Sequence, residues 1–431
     1  MAGGGNYSMK KNALFFVIVS IIVCNSSALY AYGSAAVQMA SDARAASMAG
    51  SYTAVASDLS ALIYNPAGLA FVPVRQLSIA AEGMGQSTVS SFAGTAKNSS
   101  LMRLRIGQAG LIHAIPTERG GITLAVGFQS PYSFDDCVTT TGAFSAGSGR
   151  DSIYKAFKTL GELSFWSAGF GIQIAPGLGA GLAAALVSGS EQERSVFEQR
   201  INGAIAAPAI DNDFDLQTER VYLGYDLRGG LLYAFNDIVK AGLMLSIPQM
   251  LFFWESVDES YPHSAFSGFT EKSTGTMYSA WNLALGAQTQ LPFMTLSLDG
   301  HIRAPYMLSM PNENIPEQSP AALVHRGAGI GAEIPAGSWV FRGGYAIEDV
   351  DFFKFVRIYD NRTDPVYWDT DGLKADSYRQ TGSGGIGYMA AGGNVCIEAG
   401  YSHSWWILST RSTAVENHAQ DRFSLSLSFR Y

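Results

Sequence analysis

From Gln76 to the C-terminus, apolar residues recur at every second position and mostly small polar residues fill the positions between. A period of two marks β-strands whose two faces meet different surroundings. Between residues 293 and 303, Met294, Leu296, Leu298, Gly300 and Ile302 share one face; Thr295, Ser297, Asp299, His301 and Arg303 share the other. Between 219 and 234, Val221, Leu223, Tyr225, Leu227 and Leu231 alternate with Arg220, Tyr222, Asp226 and Arg228. At the end of the chain, Phe423, Leu425, Leu427, Phe429 and Tyr431 alternate with Arg422, Ser424, Ser426, Ser428 and Arg430. Fourteen such segments are predicted: 76–84, 101–115, 120–130, 161–174, 178–190, 219–234, 238–254, 275–290, 293–303, 321–334, 337–351, 378–390, 394–408 and 422–431.

The connections between these segments sort into two kinds. Six are tiny: Pro116 to Arg119, Ala175-Pro176-Gly177, Phe235-Asn236-Asp237, Leu291-Pro292, Pro335-Ala336 and Ala391-Gly392-Gly393. The seven that alternate with them are long: 85–100, 131–160, 191–218, 255–274, 304–320, 352–377 and 409–421. Alternating short turns and long loops, with an even strand count, is the pattern of a bacterial outer-membrane barrel. A soluble sandwich has no reason to sort its loops this way. The predicted fold class is therefore all-β: a transmembrane, antiparallel, up-and-down β-barrel of 14 strands over residues 76–431. Both termini are then expected on the short-turn, periplasmic side. The alternating last strand with its terminal Tyr431 resembles the signal read by the barrel assembly machinery, an expected partner together with outer-membrane lipid.

Composition supports this reading. Charged residues are 15% of the chain, against roughly 25% in soluble proteins. Yet mean hydropathy is only +0.10, too polar for a bundle of membrane helices, and no later segment reaches the ~18 apolar residues of a spanning helix. The net charge of −8 argues against nucleic acid as a partner. At the N-terminus, Met9-Lys10-Lys11 is a basic stretch and Ala13 to Val23 an apolar one. Small residues follow, as in a signal peptide spanning 1–28 and cut after Ala28, with Ala31 or Gly33 as rival sites. Lipidation at Cys24 is the competing reading. Two further cysteines, Cys137 and Cys396, make neither a disulfide framework nor a metal site.

Residues 29–75 do not alternate. Ser41 or Asp42 can cap a short helix through Met48, stopped by Gly50. Ser57 or Asp58 can cap a second from Leu59 to Tyr64, ending near Asn65 because Pro66 follows. A fourteen-stranded barrel is wider than its own side chains fill, and this small-residue stretch is the only spare chain suited to plug it. A periplasmic tail is the alternative. The run Arg44 to Ala70, above all Asn65-Pro66-Ala67 after Asp58-Leu59-Ser60-Ala61, resembles the N-terminal hatch of the FadL family of long-chain fatty-acid transporters. The variant Asn65-Pro66-Ala67-Gly68-Leu69-Ala70 is closer to PorV-like proteins and the FadL-like barrels of spirochaetes. The resemblance implies an outer-membrane protein of a Gram-negative-type cell or spirochaete, with a barrel closed by a hatch. It implies uptake of long-chain fatty acids or other hydrophobic ligands through an apolar groove, and exit sideways where one strand is kinked. A PorV-like scaffold in protein export and a general porin are the alternative functions.

An amphiphile needs an apolar slot and a cation. Tyr52, Val55, Leu59 and Leu62 on the hatch are candidates for the slot; Arg103, Arg105, Arg228 and Arg303 are candidate cations, with Arg220 alongside. Pairing with Glu82, Asp226, Asp299 or Glu398, and simple packing of the apolar set, are the bland alternatives. Glycines 327, 329, 331, 343, 344, 384, 385 and 387 on strands 10 to 13, or Gly107 and Gly110 on strand 2, mark places for a lateral gap or room for the plug. No catalytic residues, metal or cofactor are expected: no serine sits in a Gly-x-Ser-x-Gly elbow, and Asp299/His301 reads as a charge pair.

Overall fold

The computed structural model describes residues 37–38, 41–117, 120–146, 149–201, 204–205, 213–247, 249–262, 268–279, 281–304, 306–309, 324–350, 356–358, 367–369, 374–375, 378–409 and 414–431. The expected signal peptide and its rival cleavage sites lie outside them. Fourteen antiparallel strands follow one another around a closed sheet. They are β1 (Gln76–Phe92), β2 (Thr95–Ile115), β3 (Ile122–Ser133, resuming as Asp136–Ala146), β4 (Gly149–Ala175) and β5 (Leu178–Ile201). Next come β6 (Asp213–Ala234), β7 (Val239–Ser246, then Gln249–Ser260), β8 (Phe269–Ser279, then Asn282–Gln290) and β9 (Thr295–Arg303, then Tyr306–Ser309). The circuit ends with β10 (His325–Ala336), β11 (Trp339–Glu348), β12 (Arg379–Ala390), β13 (Val395–Ser409) and β14 (Val415–Arg430). A ladder from Gln76↔Arg430 to Ser91↔Val415 joins β1 to β14 and closes the barrel.

Burial runs opposite to that of a soluble protein. On β9, Leu298 is 57% exposed while its neighbour Ser297 is 1% exposed. On β14, Phe423, Leu425 and Phe429 face outward, and Arg422, Ser424, Ser426 and Ser428 are buried. Outward apolar side chains and inward polar ones are what a lipid-facing barrel requires. Among the described residues no helix is long and apolar enough to cross a membrane.

Of the short turns, 175–177, 235–237, 291–292 and 391–393 stand where expected, and the first lies between Ile115 and Ile122. Pro335 and Ala336 instead pair with Val340 and Trp339, so the β10–β11 turn is Gly337-Ser338. Gly177, with φ +74°, closes the β4–β5 turn, a left-handed conformation that glycine adopts without strain. The opposite connections differ from expectation. Residues 85–100 do not loop: β1 and β2 continue as a ladder to Phe92↔Thr95 and reverse through Ala93-Gly94, both with positive φ, as tight hairpins demand. β4 runs 27 residues and β5 24, where about 9–11 suffice to cross a bilayer. Polar Ser, Thr and charged residues extend these strands as paired ribbons beyond the apolar band, because backbone pairing needs no lipid. The expected loops 131–160, 191–218 and 255–274 are therefore largely strand.

One seam of the barrel is incomplete. The β2–β3 ladder runs only from Gln108↔Gln129 to Ile115↔Ile122. Past Gln129 the β3–β4 register shifts at Ser130-Pro131; proline has no N–H to offer a ladder. The upper half of β3 then has no ladder with β2 among the described residues and packs across the β1–β2 hairpin: Gln86 Nε2 donates to Asp136 Oδ1 at 3.0 Å, and Ser90 and Thr140 hydroxyls meet at 2.6 Å. Along 95–107, β2 keeps only its ladder with β1 among the described residues. Met102, Leu104 and Ile106 there are exposed, Met102 at 84%. The backbone of Val37–Gln38 pairs with Ser133 and Tyr132 on the edge that β2 has left. On β10 to β13 the ladders are continuous, so the glycine-rich strands carry no such break.

Candidate functional site

Residues 41–72 lie inside the barrel, toward the short-turn end. Helix α1 (Ala43–Ser47) is capped by Asp42, whose carboxylate accepts from Ala45 N at 2.7 Å. Helix α2 (Ala61–Tyr64) begins at Ser60, and Asn65 ends it as expected. A 3₁₀ turn, Pro66–Phe71, follows. Asp42 and the Ser60 hydroxyl hydrogen-bond, tying the two helices. Burial, and then the neighbouring Asp58 carboxylate, push Asp42 well above the ordinary carboxylate range.

Irregular backbone at membrane depth must have its polar groups satisfied by protein. The inner wall supplies them. Ser383 donates to Ser47 O at 2.8 Å, Ser297 to Ser51 O at 2.9 Å, Gln129 to Leu59 O at 3.0 Å and Thr123 to Val72 O at 3.2 Å. Asp299 accepts from Thr53 N at 2.9 Å, and Arg228 donates to Ile63 O. The motif residues now have physical roles. Asn65 donates to Thr53 O and Leu231 O and accepts from Ala67 N at 3.1 Å. Pro66 starts the 3₁₀ turn, where a missing N–H costs nothing. Ala67 is fully buried. A Cβ at Gly230 would overlap Asn65 Oδ1, one at Gly181 the Pro66 carbonyl, and one at Gly385 the Ser47 hydroxyl. Several glycines of the wall thus make room for the plug.

Above this floor lies a cavity of about 210 Å³. Its two sides differ. On β3 to β8 a buried apolar cluster packs beside the chamber: Tyr132 and Phe134, Leu163 and Phe165, Val187, Tyr222, Leu251 and Phe253, and Met277, seated on Ile63 of the hatch. Of these, Phe134 and Ile63 line the cavity, joined by Phe157, Met244, Glu191 and Glu193. The Phe134 and Tyr222 rings stack at 5.5 Å. On β9 to β14 the lining carries most of the charge, with His301, Arg303, His325, Glu348, Arg379 and Arg422, among small and aliphatic residues such as Ala328, Ile347 and Leu408. Arg379 lies over the Trp406 ring at 5.3 Å and donates to Gln420 at 2.8 Å.

Of the candidate slot residues and cations, Arg303 lines this cavity, as do Asp299 and His301. Tyr52, Val55, Leu59 and Leu62 are buried together within the hatch core; Leu59 presses against Gly110 and Gly127, and Leu62 against Gly169. Arg105 pairs with Glu82 at 2.8 Å and Arg228 with Asp226 at 2.6 Å. Arg103 reaches Asp135 at 2.8 Å and so braces the elbow of β3. Arg220 meets Glu255 at 2.6 Å and approaches Glu191 and Glu193. Asp299 binds the hatch rather than His301, whose ring instead stacks on His325 with centroids 5.5 Å apart. A second tie was not foreseen: Arg44 of the hatch grips Glu333 of β10 through two nitrogens, at 2.6 and 2.9 Å, and Arg342 completes the chain at 2.7 Å. His301, His325, Glu348, Arg379 and Arg422 went unremarked as a group, because they are far apart in sequence and share only their parity.

No family model and no curated protein matches the sequence. Solved structures do. A FadL homologue of Pseudomonas aeruginosa superposes with a TM-score of 0.63 at 12% identity, covering 93% of this chain and 99% of that one. The P. putida toluene transporter TodX gives 0.60 at 14%, covering 94% and 99%. The Ralstonia pickettii toluene transporter TbuX gives 0.55 at 14%, over the same shares. The chain therefore has the FadL-like fold, a closed fourteen-stranded barrel.

Proposed function

We propose that the chain carries small hydrophobic or amphipathic molecules, foremost long-chain fatty acids, across a bacterial outer membrane. The observation that carries this reading is the combination of a hatch filling the lumen and an unpaired seam beside an apolar wall. A water-filled route is blocked by the floor, whereas Tyr132 and Phe134 lead from the chamber to the elbow of β3. The seam at β2 opens toward the lipid-facing Met102 and Leu104. A hydrophobic cargo enters from the long-hairpin side and rests with its chain against Ile63, Phe134, Phe157 and Met244. Its carboxylate faces Arg303, Arg379 or Arg422 across the chamber. It leaves between β2 and β3, past Val37–Gln38. In this reading residues 29–75 form the hatch domain and both termini face the periplasm.

Labelled oleate and labelled toluene, titrated into the purified full-length protein, test this. Saturable binding of both is expected, with fatty acid recovered in a lipid extract of the preparation. Absence of fatty acid from that extract, together with no oleate binding, overturns the fatty-acid reading. Toluene binding alone narrows the cargo to neutral hydrocarbons.

A further inference from the structure

We propose that His301, His325 and Glu348 form a binding site for a divalent transition-metal ion of the Zn²⁺ class on the charged wall of the chamber. This inference stands apart from the transport reading and needs no cargo.

The three side chains come from three neighbouring strands. The ladders set His301 opposite Gly327, and Gly327 opposite Glu348. His325 lies two residues before Gly327, hence on the same face of β10. Gly327 is what lets them meet. A Cβ at that position would overlap the His301 ring and lie 3.1 Å from the Glu348 Cβ. Without one, the imidazole lies across the middle strand, between His325 and Glu348. One donor atom from each residue then lies within 4.8 Å of the other two. Donors on a single Zn²⁺, with bonds of roughly 2.0 Å, stand about 3.3 Å apart. Side-chain rotations that close on the order of 1.5 Å therefore complete the set.

The chemistry selects the ion. Two imidazoles and one carboxylate suit zinc and its first-row neighbours better than calcium or magnesium, which prefer all-oxygen shells. The protein offers three ligands on one side, and all three side chains line the chamber. The remaining coordination position therefore faces open space, for water or a cargo atom, as in sites that do more than brace a fold. Glu348 is also held from behind: Arg379 Nη1 lies 3.4 Å from its Oε1, which orients the carboxylate. Arg303, opposite His325 in the ladder, opposes a cation, and Asp349, also lining the chamber, favours one. The ion would place a fixed positive charge on the wall that already carries Arg303, Arg379 and Arg422.

The test uses the untagged full-length protein in detergent, stripped with a chelator. Zn²⁺ is titrated calorimetrically and Co²⁺ by visible absorption. One ion per chain is expected, with a Co²⁺ band more intense than that of the aqueous ion. His301→Ala, His325→Ala and Glu348→Gln are each expected to weaken Zn²⁺ binding at least about tenfold, since losing even an outer-shell partner costs that much. His403→Ala, which removes a histidine outside the cluster, leaves it unchanged. A wild-type chain that binds no ion, or a His301→Ala/His325→Ala double variant that binds as the wild type does, overturns the site. Absence of binding in the wild type overturns the site even if no variant folds.

Discussion

The two walls of the lumen are made of the same kind of strand with the same alternation, yet they are different surfaces. From β3 to β8 the inward positions hold a packed apolar cluster, with Phe165, Val187, Tyr222, Leu251, Phe253 and Met277, beside an ion-paired set in which Arg220 meets Glu191, Glu193 and Glu255. From β9 to β14 they are His301, Arg303, His325, Arg379, His418 and Arg422. Outside, the walls are alike: Leu223 and Leu298 are both exposed to lipid. The difference shows that alternation sets which residues face inward but not what the inside is. The hatch joins the halves with matching chemistry. It offers Ile63 to the apolar cluster and Arg44 to the charged side, through Glu333. The proposed cargo, with an apolar body and an anionic end, would meet both kinds of surface.

The largest expected effect comes from removing what keeps the two walls apart from bulk water below. Deleting residues 41–72 leaves both walls but no floor. Planar-bilayer recordings should change from a closed wild type to a stably conducting variant. Equal conductance of the two would mean that the hatch does not seal the barrel. The next effect tests whether the contrast is confined to the lumen. Leu223→Arg lies behind the apolar wall and Leu298→Arg behind the charged one. Each should cost up to about 2–4 kcal/mol, the price of arginine at the midplane of a bilayer, measured by denaturant unfolding in liposomes. A cost at only one of the two positions would mean that the outer faces differ as well.

Much of this was legible because lipid and lumen impose opposite demands on neighbouring residues. The parity of Thr295 to Arg303, and of Arg422 to Tyr431, identified the inward face correctly. The helix caps at Asp42 and the stop at Asn65 were legible as well, since each rests on a local rule. The apolar wall was not. Met250-Leu251-Phe252-Phe253-Trp254 does not alternate, because Leu251 and Phe253 face an apolar lumen while Phe252 and Trp254 face outward. A run that is apolar on both faces carries no parity. The candidate ligand residues failed for a related reason. Tyr52, Val55, Leu59 and Leu62 are apolar on a short helical segment, and packing within the hatch satisfies that pattern as well as a ligand would. The elbow in β3 was hidden too. Ser130-Pro131 signals an interruption, but where the strand goes afterwards depends on Asp136 and Thr140 meeting β1, a contact no local rule contains.

Two smaller effects sharpen the contrast between the walls. Leu251→Asn puts an amide into the apolar belt, where Leu251 is fully buried. Loss of one buried aliphatic contact, about 1.5–3 kcal/mol, should lower the barrel's stability in denaturant unfolding; an unchanged midpoint would mean that the cluster is not packed at this position. Arg379→Gln removes a cation from the opposite wall and keeps a hydrogen-bonding side chain beside Gln420 and Ser404. A charge-assisted bond to a carboxylate is stronger than a neutral one. Arg379 already shares its charge with Glu348 at 3.4 Å, and Arg303 and Arg422 line the same chamber, so its loss removes only part of that advantage. Oleate binding should therefore fall by only about threefold to tenfold, roughly 0.6–1.4 kcal/mol, and toluene binding should not change. The ratio of the two affinities is the informative readout, because a general loosening of the barrel lowers both together. If Arg379→Gln weakens toluene as much as oleate, the charged wall does not hold the anionic end of the cargo, and its cations serve only to brace the barrel against Glu348 and its neighbours.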